Sequence, residues 1–508
     1  MRVPETKPRK NVLVLHTDQE RADSLGCAGN RFARTPNLDR LAAEGTLFTR
    51  HVATCPICSP SRASLLTGLY PPGHNLWCNG VALNRREYAS VNSFQEGVSF
   101  ESPAGFVPEP LTMADIFARA GYDTACFGKL HLTPYLAPAH LRFPESFASW
   151  KEGMFEEWNG PYYGFRHAEF TLGHGPQAGL RGHYGAWLRE SYPDVVRELA
   201  RGRYRGPDEL RDLFPSPIPS EAHYSSWLTA RFLAWLRDRK ETPFFAFIGF
   251  PDPHHPFTPS FDIAAEFEDT EVPEPADPEG RGVKGSPLEH LAQHRIHRMP
   301  REVLRRAQRY TNALVFQIDR AVGVILEGLT ALGLADSTVV VFTSDHGDFL
   351  GDHGYIRKAF AASDSLLRVP LIVGAPGGGL PPLVTMPVSS CDLLPTIARL
   401  AGVAPPDCLH GEDIVRLLAQ GARHEAFAFS HNGDRQWTNY TMYDERFRFT
   451  WYPGQDFVEL FDHSADPWEM TNLAGQSAFR DYIEAAKRRV ADNLAVWYNP
   501  VQARFCAW

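Results

Sequence analysis

Short, uninterrupted apolar runs recur along the chain, and polar or charged residues follow each of them. The first run is Asn11–His16, after which Thr17 and Asp18 follow. Continuous apolar runs of this length are typical of strands buried on both faces of a parallel sheet. Further runs of this kind are Tyr122–Phe127, Phe244–Phe250 and Thr338–Phe342. The pattern predicts an α/β fold, and ligands bind such sheets at the carboxyl ends of the strands. Taken alone, Asp18 is either a site residue there or the cap of the next helix.

The stretch 55–68 places a cysteine directly before Ser-Pro and an apolar helical pattern that ends in glycine. Pro60 suits the first turn of a helix, where its missing N–H costs nothing. Cys58 is thereby predicted at a helix N-terminus, where free N–H groups and the helix dipole favour an anion. Arg62, one turn further on, adds a cation on the same face. Three interpretations stay open: an inert buried thiol, a redox pair with Cys55, and a nucleophile for an anionic substrate.

The run Cys58-Ser59-Pro60-Ser61-Arg62, followed by Leu66-Thr67-Gly68, resembles the signature of the sulfatase family. Thr35–Gly45 is similar to the T-P-N-L-D-x-L-A stretch of the same family. In sulfatases the cysteine of C-x-P-S-R is converted to formylglycine, and its hydrated aldehyde is the nucleophile. The resemblance therefore implies that Cys58 is modified and that a formylglycine-generating enzyme is the partner that matures the protein.

The same resemblance implies a site for one divalent metal. Thr343–Asp348, followed by Gly351–Gly354, resembles the second metal segment of the superfamily, and sulfatases carry a metal-binding acidic residue where Asp18 stands. The implied ligands are Asp18, Asp345, His346 and the modified Cys58, assisted by Gln19. Sulfatases usually have a second acidic residue at the position of Gln19, and this departure resembles the phosphonate monoester hydrolases. Sulfatases whose second metal segment offers only oxygen ligands typically bind Ca²⁺, and an imidazole in place of one oxygen shifts the preference towards Mn²⁺ or Zn²⁺. We therefore expect Mn²⁺ or Ca²⁺, with Zn²⁺ as a third option.

Two motifs with basic residues supply candidates for catalysis. Lys129 and His131 follow a predicted strand and, being two residues apart, point the same way. This G-K-x-H sequence resembles the one that sulfatases place against the sulfate and the nucleophile. Phosphonate monoester hydrolases tend to have uncharged residues at these two positions. The family pattern P-H-x-P-F selects His254 rather than His255 as the proton donor, in a loop that prolines hold stiff.

The remaining site residues follow from the resemblance alone. Lys358 lies at the spacing of the sulfate-binding lysine, and Asn79 falls where relatives have a polar residue lining the site. Arg62, Lys129 and Lys358 are implied to neutralise charge on the transferring group, as electrostatic catalysis requires. His131 is implied to orient the nucleophile.

The resemblance implies the alkaline-phosphatase-like fold, a large mixed α/β sheet flanked by helices. Residues 1–420 are assigned to the catalytic domain, in which 134–240 is a variable insertion that roofs the site and sets substrate choice. Residues 421–508 are predicted to form a smaller antiparallel α+β domain, since short aromatic strands precede a helix over Phe479–Val496.

The function predicted from these residues is hydrolysis of small-molecule sulfate monoesters, of the arylsulfatase type, with release of inorganic sulfate. The first alternative is a phosphonate monoester or phosphodiester hydrolase that uses the same site, which Gln19 and His346 favour and Lys129 and His131 oppose. A remote alternative is a thiol redox protein that uses Cys55 and Cys58.

Composition excludes several other classes of protein. The 508 residues carry a net charge of −9, which argues against a general nucleic-acid binder. No stretch approaches the ~18 apolar residues of a membrane helix, and we expect no membrane association. Val12–Leu15 is too short for a signal-peptide core, and eight irregularly spaced cysteines do not form a disulfide framework. We therefore expect a cytoplasmic protein, and the aromatic tail that ends in Trp508 hints at a homo-oligomer.

Overall fold

The computed structural model describes residues 9–85, 110–178, 180–202, 204–239, 242–281, 285–290, 299–431 and 437–498. Its strands are β1 (Asn11–Asp18), β2 (Thr46–Val52), β3 (Asp123–Gly128), β4 (His167–Glu169), β5 (Phe244–Pro253), β6 (Thr338–Ser344), β7 (Arg368–Gly374), β8 (Leu383–Val384), β9 (Val388–Ser389), β10 (Ala426–Ser430), β11 (Asn439–Tyr443), β12 (Phe447–Tyr452) and β13 (Phe457–Asp462). Its helices are α1 (Pro36–Glu44), α2 (Cys58–Thr67), α3 (Pro71–His74), α4 (Met113–Arg119), α5 (Phe147–Lys151), α6 (Gly175–Ala178), α7 (Gly182–Ser191), α8 (Pro193–Ala200), α9 (Tyr224–Arg237), α10 (Phe261–Phe267), α11 (Arg301–Ala331), α12 (Asp364–Leu367), α13 (Leu393–Ala401), α14 (Ile414–Gln420) and α15 (Arg480–Trp497).

Within the described residues, nine strands form the main sheet, in the order β4-β3-β5-β1-β6-β7-β2-β8, with β9 also paired to β2. The five neighbouring strands β4, β3, β5, β1 and β6 run parallel to one another. Strand β7 pairs antiparallel with both β6 and β2. The sheet is therefore mixed, and its central strands are those that carry the longest apolar runs in the sequence.

Successive residues of β1 enter different cores because side chains alternate across a strand. Val12 and Val14 pack in one core, with α4 and α13 against that face of the sheet. Leu13 and Leu15 pack in the other core, with α1, α9 and α11. All eight residues of β1 are buried. This two-sided burial explains why the run is apolar throughout instead of alternating with polar residues.

A second sheet, β10-β11-β12-β13, is antiparallel throughout and lies near the C-terminus. Aromatic side chains from its strands pack against one face of α15 through Ile483, Ala486 and Val490. Tyr70 and Cys391 of the larger unit join the same core, so the small unit is packed onto the large one. The predicted fold class, a large mixed sheet flanked by helices with a smaller antiparallel α+β unit, is confirmed. The boundary at residue 420 stays a prediction.

Two further expectations concern the C-terminal tail and membrane-spanning helices. The aromatic tail that ends in Trp508, on which the homo-oligomer prediction rests, lies outside the described residues. Among the helices that are described, none combines the length and the apolar character that crossing a bilayer requires.

A buried ion network stabilises the small unit and its contact with the large one. The Arg448 guanidinium donates to both Glu469 and Glu459, the latter at 3.2 Å, and all three side chains are buried. The second oxygen of Glu469 accepts the backbone N–H of Asp364 in the large unit at 3.1 Å. Removing one partner of a buried pair leaves an uncompensated charge, which costs far more than the pair contributes.

We expect Arg448→Met to lower the free energy of unfolding by about 3–5 kcal/mol, because Glu469 and Glu459 would lose their buried counter-charge. Urea denaturation followed by tryptophan fluorescence measures this change. Arg446→Met is the matched control: Arg446 is exposed in the turn between β11 and β12, and its partner Asp462 keeps the hydrogen bond from the Ser464 N–H at 3.0 Å, so the unfolding midpoint should barely move. Equal midpoints for the two variants would contradict the structural role of the network.

Candidate active site

Two carboxylates meet at the carboxyl ends of neighbouring strands. β1 and β6 run parallel with Thr17 opposite Ser344, so that Asp18 and Asp345 leave the sheet side by side. The backbone N–H of Gln19 donates to Asp345 Oδ1 at 3.0 Å, and Gln19 adopts a positive φ of 64° that turns the chain back over the strand end. Both carboxylates are fully buried, so their charges require partners.

Arg62 of α2 supplies the shared partner. Its Nε donates to Asp345 Oδ2 at 2.8 Å, and one Nη donates to Asp18 Oδ2 at 3.0 Å. The remaining bonds go to the carbonyls of Thr17 and Lys129 at 3.2 and 2.9 Å. Burial opposes ionisation of Asp18, but Lys129, His254 and Arg62 outweigh it and hold the pKa of that carboxyl well below its usual range. The contacts that the structure gives Arg62 are thus to the carboxylates and the backbone around them.

Helix α2 begins at Cys58 and delivers it beside these carboxylates. Every residue of the helix is buried, and it ends at Gly68 in the left-handed region. Asn79 Oδ1 accepts the Ser59 N–H at 3.0 Å and so satisfies one of the free donors of the first turn. Asn79, predicted to line the site, therefore contacts the backbone immediately after Cys58.

The thiol of Cys58 lies at the centre of the cluster, where a formylglycine would present its oxygens. Its Sγ is 2.7 Å from Lys358 Nζ, 3.3 Å from His346 Nε2 and 3.8 Å from Asp18 Oδ1. Burial and Asp18 disfavour the thiolate, but Lys129, Lys358 and His346 together overcome them and lower the pKa of Cys58 to about 7. The site is therefore built to hold negative charge at this atom.

The residues predicted to hold a metal converge within this cluster. Donor atoms of Asp18, Cys58, Asp345 and His346 all lie within 4.8 Å of one another. The Nδ1 of His346 is 2.9 Å from the carbonyl of Gly347; since a carbonyl only accepts, Nδ1 carries the proton and Nε2 keeps its lone pair for the cluster. This set of oxygen, nitrogen and sulfur donors fits a divalent ion.

Gln19, which the sequence predicts to assist these ligands, has an anchored amide nitrogen and, among the described residues, an unbonded carbonyl oxygen. Its amide nitrogen is held by Asp348 and lies 3.1 Å from His255 Nδ1. Its Oε1 is buried and makes no hydrogen bond to any described residue. An amide that is anchored through its nitrogen leaves its carbonyl oxygen available as a hard ligand.

The end of β3 brings Lys129 against Asp18 through an unusually close approach of two backbones. The Lys129 N–H donates to the carbonyl of Gly249 at 2.8 Å. A Cβ at position 249 would lie 1.9 Å from the carbonyl oxygen of Lys129, so only glycine fits there. The ammonium of Lys129 pairs with Asp18 inside the protein, with no exposed side-chain surface.

His131 points into the site from a constrained turn. It adopts a positive φ of 60°, and its ring stacks on Tyr135 with centroids 4.0 Å apart. Its Nδ1 is buried and has no hydrogen-bond partner among the described residues. Burial, aided by Lys129 and Arg62, lowers the pKa of His131 well below its usual value, which leaves a neutral ring.

The side chains of His254 and Lys358 are in hydrogen-bond contact. The Nδ1 of His254 contacts the carbonyl of His255 and must therefore carry the proton. Its Nε2 then accepts from the Lys358 ammonium at 3.0 Å, and that ammonium also reaches His346 Nε2 at 2.8 Å. The Lys358 ammonium thus links the rings of His254 and His346.

Two site residues were missed at the sequence level. His174, between β4 and α6, stacks on His254 with centroids 3.6 Å apart and has its Nε2 3.9 Å from Asp18 Oδ2 and in contact with Lys129. Glu145 accepts the backbone N–H groups of His131, Leu132 and Thr133 and so holds the His131 turn. Neither residue belongs to a recognisable motif, and both lie in the irregular segment 134–240.

Comparison with known proteins identifies the family of the chain. The family model "Sulfatase" matches residues 10–403. The chain belongs to the sulfatase family. A second model, "N-sulphoglucosamine sulphohydrolase, C-terminal", matches residues 351–495. The predictions of this family and of a sulfuric ester hydrolase are therefore confirmed.

Relatives of this sulfatase extend over nearly its whole length. It is 26% identical to an arylsulfatase of Clostridium perfringens, over 96% of this chain and 94% of that protein. It is 29% identical to a multifunctional alkaline phosphatase superfamily protein of Trinickia caryophylli, over 94% of each. A solved phosphonate monoester hydrolase of Agrobacterium radiobacter superposes with a TM-score of 0.76 and 25% identity, covering 96% of each chain. These similarities support the alkaline-phosphatase-like fold.

We expect Asp345→Asn to weaken Mn²⁺ binding at least about tenfold, since it removes a charged ligand from the buried cluster. Elemental analysis after dialysis against a range of free Mn²⁺ measures the affinity. Asp364→Asn is the matched control, because Asp364 lies in another buried group with His463 and Glu469. Arg368 and Arg448 already pair with the carboxylates of that group. If Asp364→Asn loses the metal and Asp345→Asn keeps it, the ion binds at Asp364, His463 and Glu469, and the predicted site is wrong.

Proposed function

We propose that this sulfatase hydrolyses small-molecule sulfate monoesters, of the arylsulfatase type, through a formylglycine derived from Cys58 and one divalent metal. The observation that carries the proposal is the convergence on Cys58 Sγ of the Lys358 ammonium, the His346 imidazole and the Asp18 carboxylate, all within 3.8 Å. A formylglycine-generating enzyme would convert the CH₂SH group of Cys58 to an aldehyde, whose hydrate places two hydroxyls at this centre.

Asp18, Asp345, His346 and the modified residue 58 would hold the metal, with the free Oε1 of Gln19 as a further ligand. A divalent ion bound there polarises the ester oxygen and favours the deprotonated hydrate. The nitrogen ligand from His346 favours Mn²⁺ over Ca²⁺, and Zn²⁺ fits the same donors.

Charged side chains at fixed positions surround the attacking hydroxyl. Arg62 acts as a positioning residue, because its hydrogen bonds lock Asp18 and Asp345 to each other and to the backbone. Lys129 and Lys358 flank the position of the nucleophile and neutralise charge on the transferring sulfuryl group. The unpartnered Nδ1 of His131 orients the hydrate or accepts a hydrogen bond from it.

The proposed reaction has two steps, transfer of the sulfuryl group to the hydrate and release of sulfate. The deprotonated hydrate oxygen would attack sulfur as the bond from sulfur to the leaving oxygen breaks. Lys358 would give a proton to Nε2 of His254, and His254 would pass it to the leaving oxygen. The second hydroxyl of the residue would then give its proton to Lys358, which restores the ammonium, while the carbonyl re-forms and the C–O bond to the sulfate breaks. Inorganic sulfate leaves, and water hydrates the aldehyde again.

A phosphonate monoester or phosphodiester hydrolase is the second candidate. Gln19 and His346 resemble the metal ligands of that class, and one of its members superposes over 96% of the chain. Lys129 and His131 oppose it.

We expect the matured, Mn²⁺-loaded protein to have a kcat/KM for 4-nitrophenyl sulfate at least about tenfold above that for 4-nitrophenyl phenylphosphonate, since two ammonium groups surround the nucleophile. Both esters release 4-nitrophenol, so one absorbance assay compares them. A faster phosphonate reaction would reassign the enzyme.

We expect Cys58→Ala to reduce kcat/KM on the aryl sulfate by more than about a thousandfold, because it removes the nucleophile. Cys55→Ala should leave it within about threefold. Cys55 is buried, burial raises the pKa of its thiol well above the usual range, and the described cysteines form no disulfide. Mass spectrometry of the wild-type tryptic peptide should show the aldehyde in place of the thiol. A redox protein would instead lose activity in both variants and retain two thiols.

A further inference from the structure

A cavity of about 550 Å³ opens directly above the proton-donor side of the site. All of its lining residues except Pro256 come from the segment 134–240, which the sequence predicts to roof the site. Its floor is His174, whose ring stacks on His254, together with Pro256. A group bound in this cavity therefore rests on His174, which lies between it and the ring of His254, the proposed proton donor. The cavity is placed to receive the alcohol portion of the substrate.

The cavity is strongly basic, although the protein as a whole carries a charge of −9. Three arginines line it, Arg181, Arg205 and Arg211, against a single carboxylate, Asp212. That carboxylate is already paired with Arg357 at 2.8 Å. A concentration of cations that contrasts with the net charge attracts anions locally and not over the whole surface.

Asp208 offsets this charge only in part. It pairs with Arg205 and lies 3.6 Å from Arg211, so that two guanidinium groups share one exposed carboxylate. Exposed pairs of this kind contribute little to stability and exchange readily for another anion. Arg181 contacts the face of Phe147 at 4.9 Å, which leaves its planar fork of donors for a ligand.

One wall of the cavity is aromatic. The rings of Tyr204 and Phe214 stack with centroids 6.4 Å apart and an interplanar angle of 28°. Both rings line the cavity and are only partly buried, so a planar ring in the cavity would have an apolar surface to pack against. An aromatic wall beside three guanidinium groups matches a ring that bears an anionic substituent.

A second cavity, of about 380 Å³, borders the metal side of the site through Gln19 but has the opposite charge. Its acidic lining residues outnumber its basic ones; they are Glu20, Asp23, Glu274 and Asp352 against Arg21 and Arg31. It touches neither His174 nor His254. Of these two cavities, the one above His174 is therefore the one that favours an anionic leaving group.

We propose that the natural substrate is a sulfate ester whose alcohol portion is an aromatic ring bearing a second anionic group, which Arg181, Arg205 and Arg211 bind in the cavity above His174. The proposal rests on the proposed sulfatase function and adds the substrate class. The scissile sulfate occupies the buried site, and the second anion lies in the roof.

The test compares two substrates of equal shape, 4-sulfooxybenzoate and its neutral analogue 4-sulfooxybenzamide, by release of inorganic sulfate. We expect kcat/KM to favour the carboxylate at least about tenfold in the wild type, mainly through a lower KM, since charged hydrogen bonds bind more tightly than neutral ones. Arg181→Gln combined with Arg211→Gln should bring the ratio towards one. Arg201→Gln is the matched control, because this exposed arginine pairs with Glu198 on the same segment and lines no part of the cavity; its ratio should stay at the wild-type value.

Equal kcat/KM for the two substrates in the wild type would overturn the proposal while leaving the sulfatase function intact. Absence of turnover on both substrates would instead overturn the proposed function. In that case, calorimetry measures the affinity of the protein for the free alcohols, 4-hydroxybenzoate and 4-hydroxybenzamide, and so tests the anion preference of the cavity. Tighter binding of the carboxylate, lost in the double arginine variant and kept in Arg201→Gln, supports the cavity; equal binding overturns it.

Discussion

The site depends on one buried cation that bridges two buried carboxylates. Asp18 and Asp345 emerge from adjacent parallel strands, and without a counter-charge their repulsion in a low-dielectric interior would force them apart or protonate them. The guanidinium of Arg62 contacts both, and it also binds the carbonyls of Thr17 and Lys129. Strands β1, β3 and β6 are thereby tied to the helix that carries Cys58. Cys58 and the candidate metal ligands are positioned by the same interaction.

In the proposed function, the segment 134–240 links the chemistry to the choice of substrate. From its inner side, Glu145 holds the turn of His131 and His174 stacks on His254. From its outer side come the arginines and aromatic rings of the cavity. Because one segment supplies both layers, a change in its outer residues alters what binds without disturbing the carboxylates and Arg62 beneath it.

Those parts of the site that lie at the ends of apolar strands could be predicted from sequence. Asp18, Lys129, His254 and Asp345 each follow such a strand, and parallel strands place their carboxyl ends along one edge of the sheet. His174 and Glu145 follow no strand pattern and no motif. They reach the site only because the roof folds back over it, and one-dimensional periodicity carries no information on such long-range contacts.

The amino-acid sequence by itself determined the fold class and the family and supplied most of the candidate site residues, since these are recorded in local apolar runs and short motifs. Tertiary structure alone decided how those residues act on one another. It assigned the bonds of Arg62 to the carboxylates, set the ring proton of His254 on Nδ1 and freed the carbonyl oxygen of Gln19. It also gathered three arginines above His174. These properties depend on distances between atoms far apart in the chain, and burial fixes those distances by removing the water that would otherwise satisfy each group.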